Sequence, residues 1–164
     1  MEKTLVLLKP DAVKGGIIGE IIGRFEKNGL KILGVKMLHP DEAHYHHHYE
    51  GISRLKSRVG EDVFNKNTEF MMSGPVIAIV LQGPNAVGEV RKMVGHTDPA
   101  QAEPGTIRGD LGHMTLEEAN QKNIALQNIV HASGDKTEAD QEVAHWFKPE
   151  ELFEYKTANE RLTQ

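Results

Sequence analysis

Three stretches hold the residues best suited to chemistry. The first, DEAHYHHHYEG at 41–51, crowds four histidines and two tyrosines into eleven positions. On a helix His44 and His48 share a face, as do Tyr45 and Tyr49, and an i, i+4 histidine pair is one way to begin a metal site. Zinc wants a third protein ligand. Asp41, Glu42 and Glu50 are near, but no HExxH order occurs. A solvated helix face accounts for the cluster better than a resident metal does, and adventitious nickel or zinc binding is compatible with either. The second stretch, HTDPAQAEPGTIRGD at 96–110, sets Arg108 in a segment that prolines hold open. A guanidinium fixed there suits bidentate contact with phosphate oxygens. A surface pair of Arg108 with Asp110 fits equally well. The third, NIVHASGD at 128–135, puts a solitary His131 at the exit of an apolar strand, with small neighbours that leave room for a substrate. Lone histidines in such places are more often structural. Here the open loop with its arginine and the Lys-Pro-Asp strand end at 9–11 argue for a shared site.

The standard phosphate and nucleophile fingerprints are absent. GxxxxGK[ST] does not occur, Gly15-Gly16-Ile17-Ile18-Gly19 fails GxGxxG, and there is no GxSxG. Gly15 and Gly16 read as the turn that starts a helix.

The elements that must position these residues follow from hydrophobic periodicity. Thr4–Leu8 reads as a buried strand. Ile17, Ile18, Ile21, Ile22 and Phe25 fall on one face of a helix that Asn28-Gly29 ends. Residues 30–38 form a strand bent near Gly34. Asp41 caps a helix over the histidine cluster, and 52–73 reads as mixed helix and loop. PVIAIVLQG, 75–83, is the central strand. Pro84 and Asn85 open a helix that buries Val87, Val90 and Val94. Residues 95–110 are irregular, and a loop that long in a compact domain is usually functional. Thr115-x-x-Glu118 marks a short helix with Leu116 and Ala119 inward and Glu117 outward. NIVHA is a short strand, and TEADQEVAHWF a last helix ending before Pro149. The order β-α-β-α-(α)-β-α-loop-β-α predicts an α+β fold: a ferredoxin-like antiparallel four-stranded sheet with helices on one face.

The totals exclude several classes. The 164 residues suit one domain. There is no cysteine, so disulfides, zinc–thiolate sites and cysteine nucleophiles are out. The longest apolar run is too short for a membrane, and MEKTLVLLKPDA carries no leader pattern, which fits a cytoplasmic protein. A net charge of −5 and 5% aromatic residues argue against a nucleic-acid binder, including an RNA-recognition module on this fold.

At these residues the sequence resembles the nucleoside diphosphate kinases. LLKPDAVKGGIIGEIIGRFEKNG, SGPVIAIVLQGPNAV, HTDPAQAEPGTIRGD, NIVHASGD and WFKPEEL follow in family order over nearly the whole chain, and the paired PGTIRGD and NIVHAS blocks are highly specific. The resemblance implies transfer of the terminal phosphoryl group of a nucleoside triphosphate to a nucleoside diphosphate, in two half-reactions through a phosphohistidine on His131. It implies that Lys9, Arg91 and Arg108 bind phosphate, that Thr97 adds a hydroxyl, and that Asn128 hydrogen-bonds the sugar. Glu142 orients the histidine ring, with Ser133 beside it. From HYHHHY it takes only Tyr49, whose hydroxyl sits by the phosphates, and it gives the surrounding histidines no role. Mg²⁺ rides on the nucleotide phosphates without dedicated protein ligands. A symmetric homo-oligomer, hexamer or tetramer, is implied, with no membrane and no nucleic-acid partner. Retained His131, Lys9 and Arg108 argue against a catalytically silent relative.

The sequence departs from the family pattern in three places. Segments near 52–62 and at 111–127 lengthen the single domain over 1–164. Val63 stands where the family offers an aromatic platform to the base, with Phe64 as the neighbouring alternative and Met114 or Leu116 as apolar residues able to fill in. In HASGD, Ala132 replaces the usual glycine, and Gly134 lacks a carboxylate that Asp135 partly replaces.

Overall fold

The structure, a computed structural model, describes residues 1–158 and 160. Strand β1 (Glu2–Leu8), helices α1 (Pro10–Lys14) and α2 (Ile18–Lys27) and strand β2 (Lys31–Leu38) open the chain. Helix α3 (Glu42–His46) runs on into a π-helical turn, His47–Ile52, before α4 (Leu55–Val59) and α5 (Glu61–Met71). Strand β3 (Val76–Gly83), α6 (Ala86–Val94), α7 (Ile107–Leu111) and α8 (Leu116–Gln121) follow, then β4 (Val130–Ala132) and α9 (Lys136–Trp146).

The four strands pair antiparallel throughout in the order β2-β3-β1-β4, the ferredoxin-like arrangement. Central β1 and β3 are apolar on both faces, so the sheet needs two covers. Val6 and Leu8 pack with Ile21, Phe25 and Val90 on one side, and Leu5 and Leu7 with Tyr45, Phe64 and Trp146 on the other. The expectation of helices on one face is thereby corrected: α2 and α6 cover one face, α3, α5 and α9 the other. Each fully buried aliphatic or Phe side chain stabilises the fold by roughly 1.5–3 kcal/mol.

Local signals explain the joints. Helix α2 ends in a Schellman motif: Leu30 N–H donates to Phe25 O at 3.2 Å and Gly29 N–H to Glu26 O at 2.9 Å, with Gly29 at φ +83°. Leu30 then packs in the same core as Phe25. The expected bend in β2 is a register shift between Ile32 and Gly34. A side chain at Gly34 has no room, since its Cβ would sit 2.8 Å from the Glu151 carbonyl oxygen.

Candidate active site

Strand β4 is only three residues long, and its pairing sets Leu7 of β1 against His131. The chain enters it through a γ-turn in which Val130 N–H donates to Asn128 O at 2.8 Å around Ile129 at φ +72°. A β-branched residue at positive φ is strained and persists only where its surroundings over-determine it. Here Asp11 Oδ2 accepts the Ile129 N–H at 3.0 Å, Lys9 N–H donates to Ile129 O at 2.8 Å, and the side chain is in the core. The strained turn aims Asn128 and His131 into one cleft of about 840 Å³. Nothing in the sequence announces it, because isoleucine is among the last residues expected there.

The His131 ring is held from behind. Its Nε2 lies 2.9 Å from Glu142 Oε1, and Ser133 Oγ donates to Glu142 Oε2 at 2.6 Å. Glu142 and Ser133 are fully buried, while His131 keeps 15% of its side chain exposed. An ionised carboxylate only accepts, so the Nε2 of this tautomer carries the proton and Nδ1 keeps a lone pair. Ser133 does not line the cleft. It touches Glu142, and acts on the ring only through it.

The histidine cluster is not the solvated face expected from sequence. Asp41 caps α3 as predicted, accepting His44 N–H at 2.8 Å. The π-helical turn then adds a residue to the helical repeat, so His48 and Tyr49 both face inward, whereas His46 and His47 are exposed. His48 is fully buried, its ring centroid 4.6 Å from that of His131 at 81°. Trp146 Nε1 donates to His48 Nδ1 at 3.0 Å. Burial, then the neighbouring imidazoles, hold the His48 pKa well below its usual value, so it is neutral. His48, His131 and Glu142 offer three ligand atoms within 4.8 Å of one another. His48 Nδ1 takes the Trp146 N–H, Glu142 Oε2 takes Ser133 and Oε1 faces His131 Nε2, while His48 Nε2 has no partner among the described residues; the group reads as a hydrogen-bonded support for His131 rather than a metal centre.

Opposite His131 stands a cationic end formed by Lys9, Arg91 and Arg108. Arg108 sits on α7, not in an open loop, because Thr106 caps that helix by accepting Gly109 N–H at 3.0 Å. Its guanidinium donates to the carbonyls of Asn128 (3.1 Å), Gly95 (3.1 Å) and Val130 (2.6 Å). Of five N–H donors two remain for a ligand. The alternative pair with Asp110 is ruled out: Asp110 binds Arg24 at 2.7 Å, and Arg108 is buried. Lys9, held extended because Pro10 follows it, donates to Asn128 Oδ1 at 2.7 Å, and Asn128 Nδ2 donates to Thr97 O at 2.8 Å. Burial, then Arg108, lowers the Lys9 pKa to about 8. Burial, then Arg91, lowers that of Arg108 to about 10. Cations crowded this way are relieved by an anion between them. Tyr49 lines the same end. Its buried hydroxyl lies beside Asn67 without a well-formed hydrogen bond, and burial keeps it protonated.

The other end of the cleft carries apolar side chains interspersed with Arg58, Asp62, Lys66 and Asn120. Val59 and Val63 line it from α4 and α5, and Leu116, Ala119, Ile124 and Leu126 from the 111–127 segment. Val63 is 48% exposed. Phe64, the alternative, is buried in the second core beneath α5, with His46 edge-on at 5.4 Å. Ala119 is buried and Glu117 faces out as expected, but Leu116 is 46% exposed rather than turned inward, although it lines the cleft. Met114 instead lines a separate pocket of about 380 Å³ beside Asp11. Asp135 caps α9 by accepting Glu138 N–H at 2.9 Å and does not line the cleft; the carboxylate beside Gly134 there is Glu138, whose Oε2 accepts the Gly134 N–H at 2.9 Å. The roles of His48, Trp146, Asp11 and the Ile129 turn escaped the sequence. The only signal for His48 was its neighbour Tyr49.

The comparisons agree with this geometry. A family model for nucleoside diphosphate kinase matches residues 2–152. The nucleoside diphosphate kinase of Pyrococcus horikoshii is 48% identical over 161 residues, covering 96% of this chain and 92% of that one. A solved structure of the Borrelia burgdorferi nucleoside diphosphate kinase, a transition-state mimic with bound vanadate and ADP, superposes with a TM-score of 0.93 at 38% identity, covering 97% of this chain and 94% of that one. The Halobacterium salinarum enzyme in complex with CDP superposes at a TM-score of 0.84 and 34% identity, covering 99% and 98%. With sequence, sheet order and cleft in agreement, the chain belongs to the nucleoside diphosphate kinases, phosphotransferases that act on nucleotides.

Proposed function

We propose that the enzyme works by a ping-pong mechanism through a phosphohistidine on His131. In the first half-reaction the Nδ1 lone pair attacks the terminal phosphorus of a nucleoside triphosphate. The N–P bond forms as the bond to the bridging oxygen breaks, and the nucleoside diphosphate leaves with that electron pair. In the second, a terminal oxygen of another nucleoside diphosphate attacks the same phosphorus, and the neutral imidazole is the leaving group. The ring becomes electron-poor as N–P forms. Glu142 stabilises it through Nε2–H, and Ser133 holds Glu142 in place. Lys9, Arg91 and Arg108 neutralise the phosphate oxygens, where positioning and charge matter most. The hydroxyls of Tyr49 and Thr97 add hydrogen bonds, Asn128 meets the sugar, and the base lies between Val63 and the 111–127 wall. The observation that carries this reading is Glu142 on Nε2, which leaves Nδ1 of a cleft-lining histidine free opposite three cations.

Mg²⁺ fits this cleft as an ion carried in on phosphate oxygens. The three cations offer it no ligand, and the only carboxylates lining the cleft among the described residues are Asp62 and Glu138. When bound it neutralises phosphate charge. Residues 1–164 act as one domain with added segments near 52–62 and at 111–127, in a cytoplasmic homo-oligomer, hexamer or tetramer. Val35 and Met37, 52% and 57% exposed on the edge strand β2, favour assembly. No helix among the described residues is long and apolar enough to cross a membrane.

Initial rates with ATP and a second nucleoside diphosphate varied together test the mechanism. Parallel double-reciprocal lines are expected. Lines that intersect would mean a ternary complex and no phosphoenzyme route.

A further inference from the structure

The nucleoside end of the cleft has two walls from distant parts of the chain, α5 and the 111–127 segment, and one polar contact bridges them. Lys66 Nζ donates to Asp62 Oδ2 at 2.6 Å on its own helix and to Asn123 Oδ1 at 2.5 Å across the gap. Lys66 lines the cleft, and 21% of its side chain is exposed.

Asn123 is placed there by the backbone. Helix α8, capped at its start by Thr115 accepting Glu118 N–H at 3.0 Å, ends in a second Schellman motif. Ile124 N–H donates to Ala119 O at 3.0 Å and Asn123 N–H to Asn120 O at 3.1 Å, with Asn123 left-handed at φ +55°. Asparagine tolerates this position better than most side chains do. The same turn sends Ile124, Ala125 and Leu126 along the cleft wall. One short motif thus builds the apolar wall and presents the side chain that ties it to α5.

A slot whose apolar contacts are aliphatic holds a base without the stacking preference of an aromatic ring. Its affinity then depends on how closely and how rigidly the two walls are held. We propose that the Lys66–Asn123 contact is a latch that sets the width of the nucleoside slot, so that it governs affinity for the base and sugar and not for the phosphates. Lys66 and Asn123 are positioning residues in this proposal, acting through Val63 on one wall and Leu116 and Ile124 on the other. The proposal rests on the reading of this cleft as the nucleotide site.

The test uses the full-length protein with Lys66→Met, Asn123→Gly and the double variant. Methionine keeps most of the apolar stem, and glycine accepts the left-handed conformation, so both changes spare the fold. ADP binding is measured by calorimetry, which does not depend on phosphoryl transfer. Tripolyphosphate, which has no base or sugar, is measured as a competing ligand. Each single variant should weaken ADP binding about tenfold, and the double variant no more than either single, because both remove one contact. Tripolyphosphate affinity should not change. ADP affinity that holds in both single variants would overturn the latch, as would multiplicative loss in the double variant or equal weakening of tripolyphosphate. Failure of the parent protein to bind ADP at all would overturn the latch together with its site. ADP binding without any phosphoenzyme would sink the transfer mechanism and leave the latch to be judged by its own variants.

Discussion

Glu142 Oε1 stands 2.9 Å from His131 Nε2 in a pocket with no solvent exposure on the carboxylate side. The pair fixes which ring nitrogen keeps its lone pair toward the cleft. Glu142→Gln keeps the shape but lets an amide N–H face Nε2, favouring the tautomer whose proton sits on Nδ1. Loss of kcat by roughly two orders of magnitude is expected, with thermal stability little changed. Steady-state kinetics beside a melting curve separates the two. Full activity in this variant would show that the carboxylate does not set the tautomer.

Arg108 makes three hydrogen bonds to backbone carbonyls of two separate segments, Gly95 and the 128–130 turn, before it meets any ligand. A lysine cannot reproduce that fork. Arg108→Lys is expected to lower kcat/KM by about 10²-fold and to lower Tm, because buried carbonyls lose their donors. An unchanged kcat/KM would remove Arg108 from the phosphate site.

The histidine cluster divides by burial. His48→Ala leaves a void beside Glu142 and strips the Trp146 N–H of its acceptor, so a loss of about 2–4 kcal/mol is expected in chemical denaturation. His46→Ala and His47→Ala, both exposed, should stay within about 0.5 kcal/mol of the parent. A His48 variant as stable as the other two would mean that its burial contributes nothing.

Two pH limits follow from burial. The His44 pKa is lowered to about 4, by burial first and by His145 next, and that of His48 lies well below its usual value. Unfolding frees both rings to take protons near their ordinary pKa of about 6.5. The unfolded chain therefore binds more protons, and stability falls as pH drops from about 6.5 toward 4. Melting curves across that range should show it, and His44→Gln should flatten the slope. At the alkaline side, Lys9 loses its charge near pH 8 in the ligand-free enzyme. kcat/KM should decline above that pH, while kcat at saturating nucleotide holds to higher pH because bound phosphate keeps Lys9 protonated.

Much of this molecule is legible in its sequence, and the reasons differ by residue. β3 announces itself because PVIAIVLQG has no polar face to offer, and Asn28-Gly29 and Thr115-x-x-Glu118 carry their helix signals locally. His131 stood out by its strand-end position and small neighbours. Ser133 and Glu142 came only from the family pattern, since their contact joins β4 to a turn of α9. The burial of His48 depends on a π-helical turn and on Trp146 nearly a hundred positions away, and no local periodicity encodes either. Ile129 breaks its own backbone preference, so propensity points away from the turn that aims His131 into the cleft. The sequence fits Arg108 equally to phosphate and to Asp110, because it places Asp110 two residues on and cannot show Arg24 taking it.

In the proposed mechanism His131 carries the transferred phosphoryl group. Incubation of the protein with γ-labelled ATP, followed by acid and base treatment and peptide mapping, tests it most directly. The expected result is an acid-labile, base-stable phosphate on the peptide containing His131, discharged by added nucleoside diphosphate and absent from His131→Ala. Label that persists in His131→Ala, or that maps to His48 or any other residue, would contradict it.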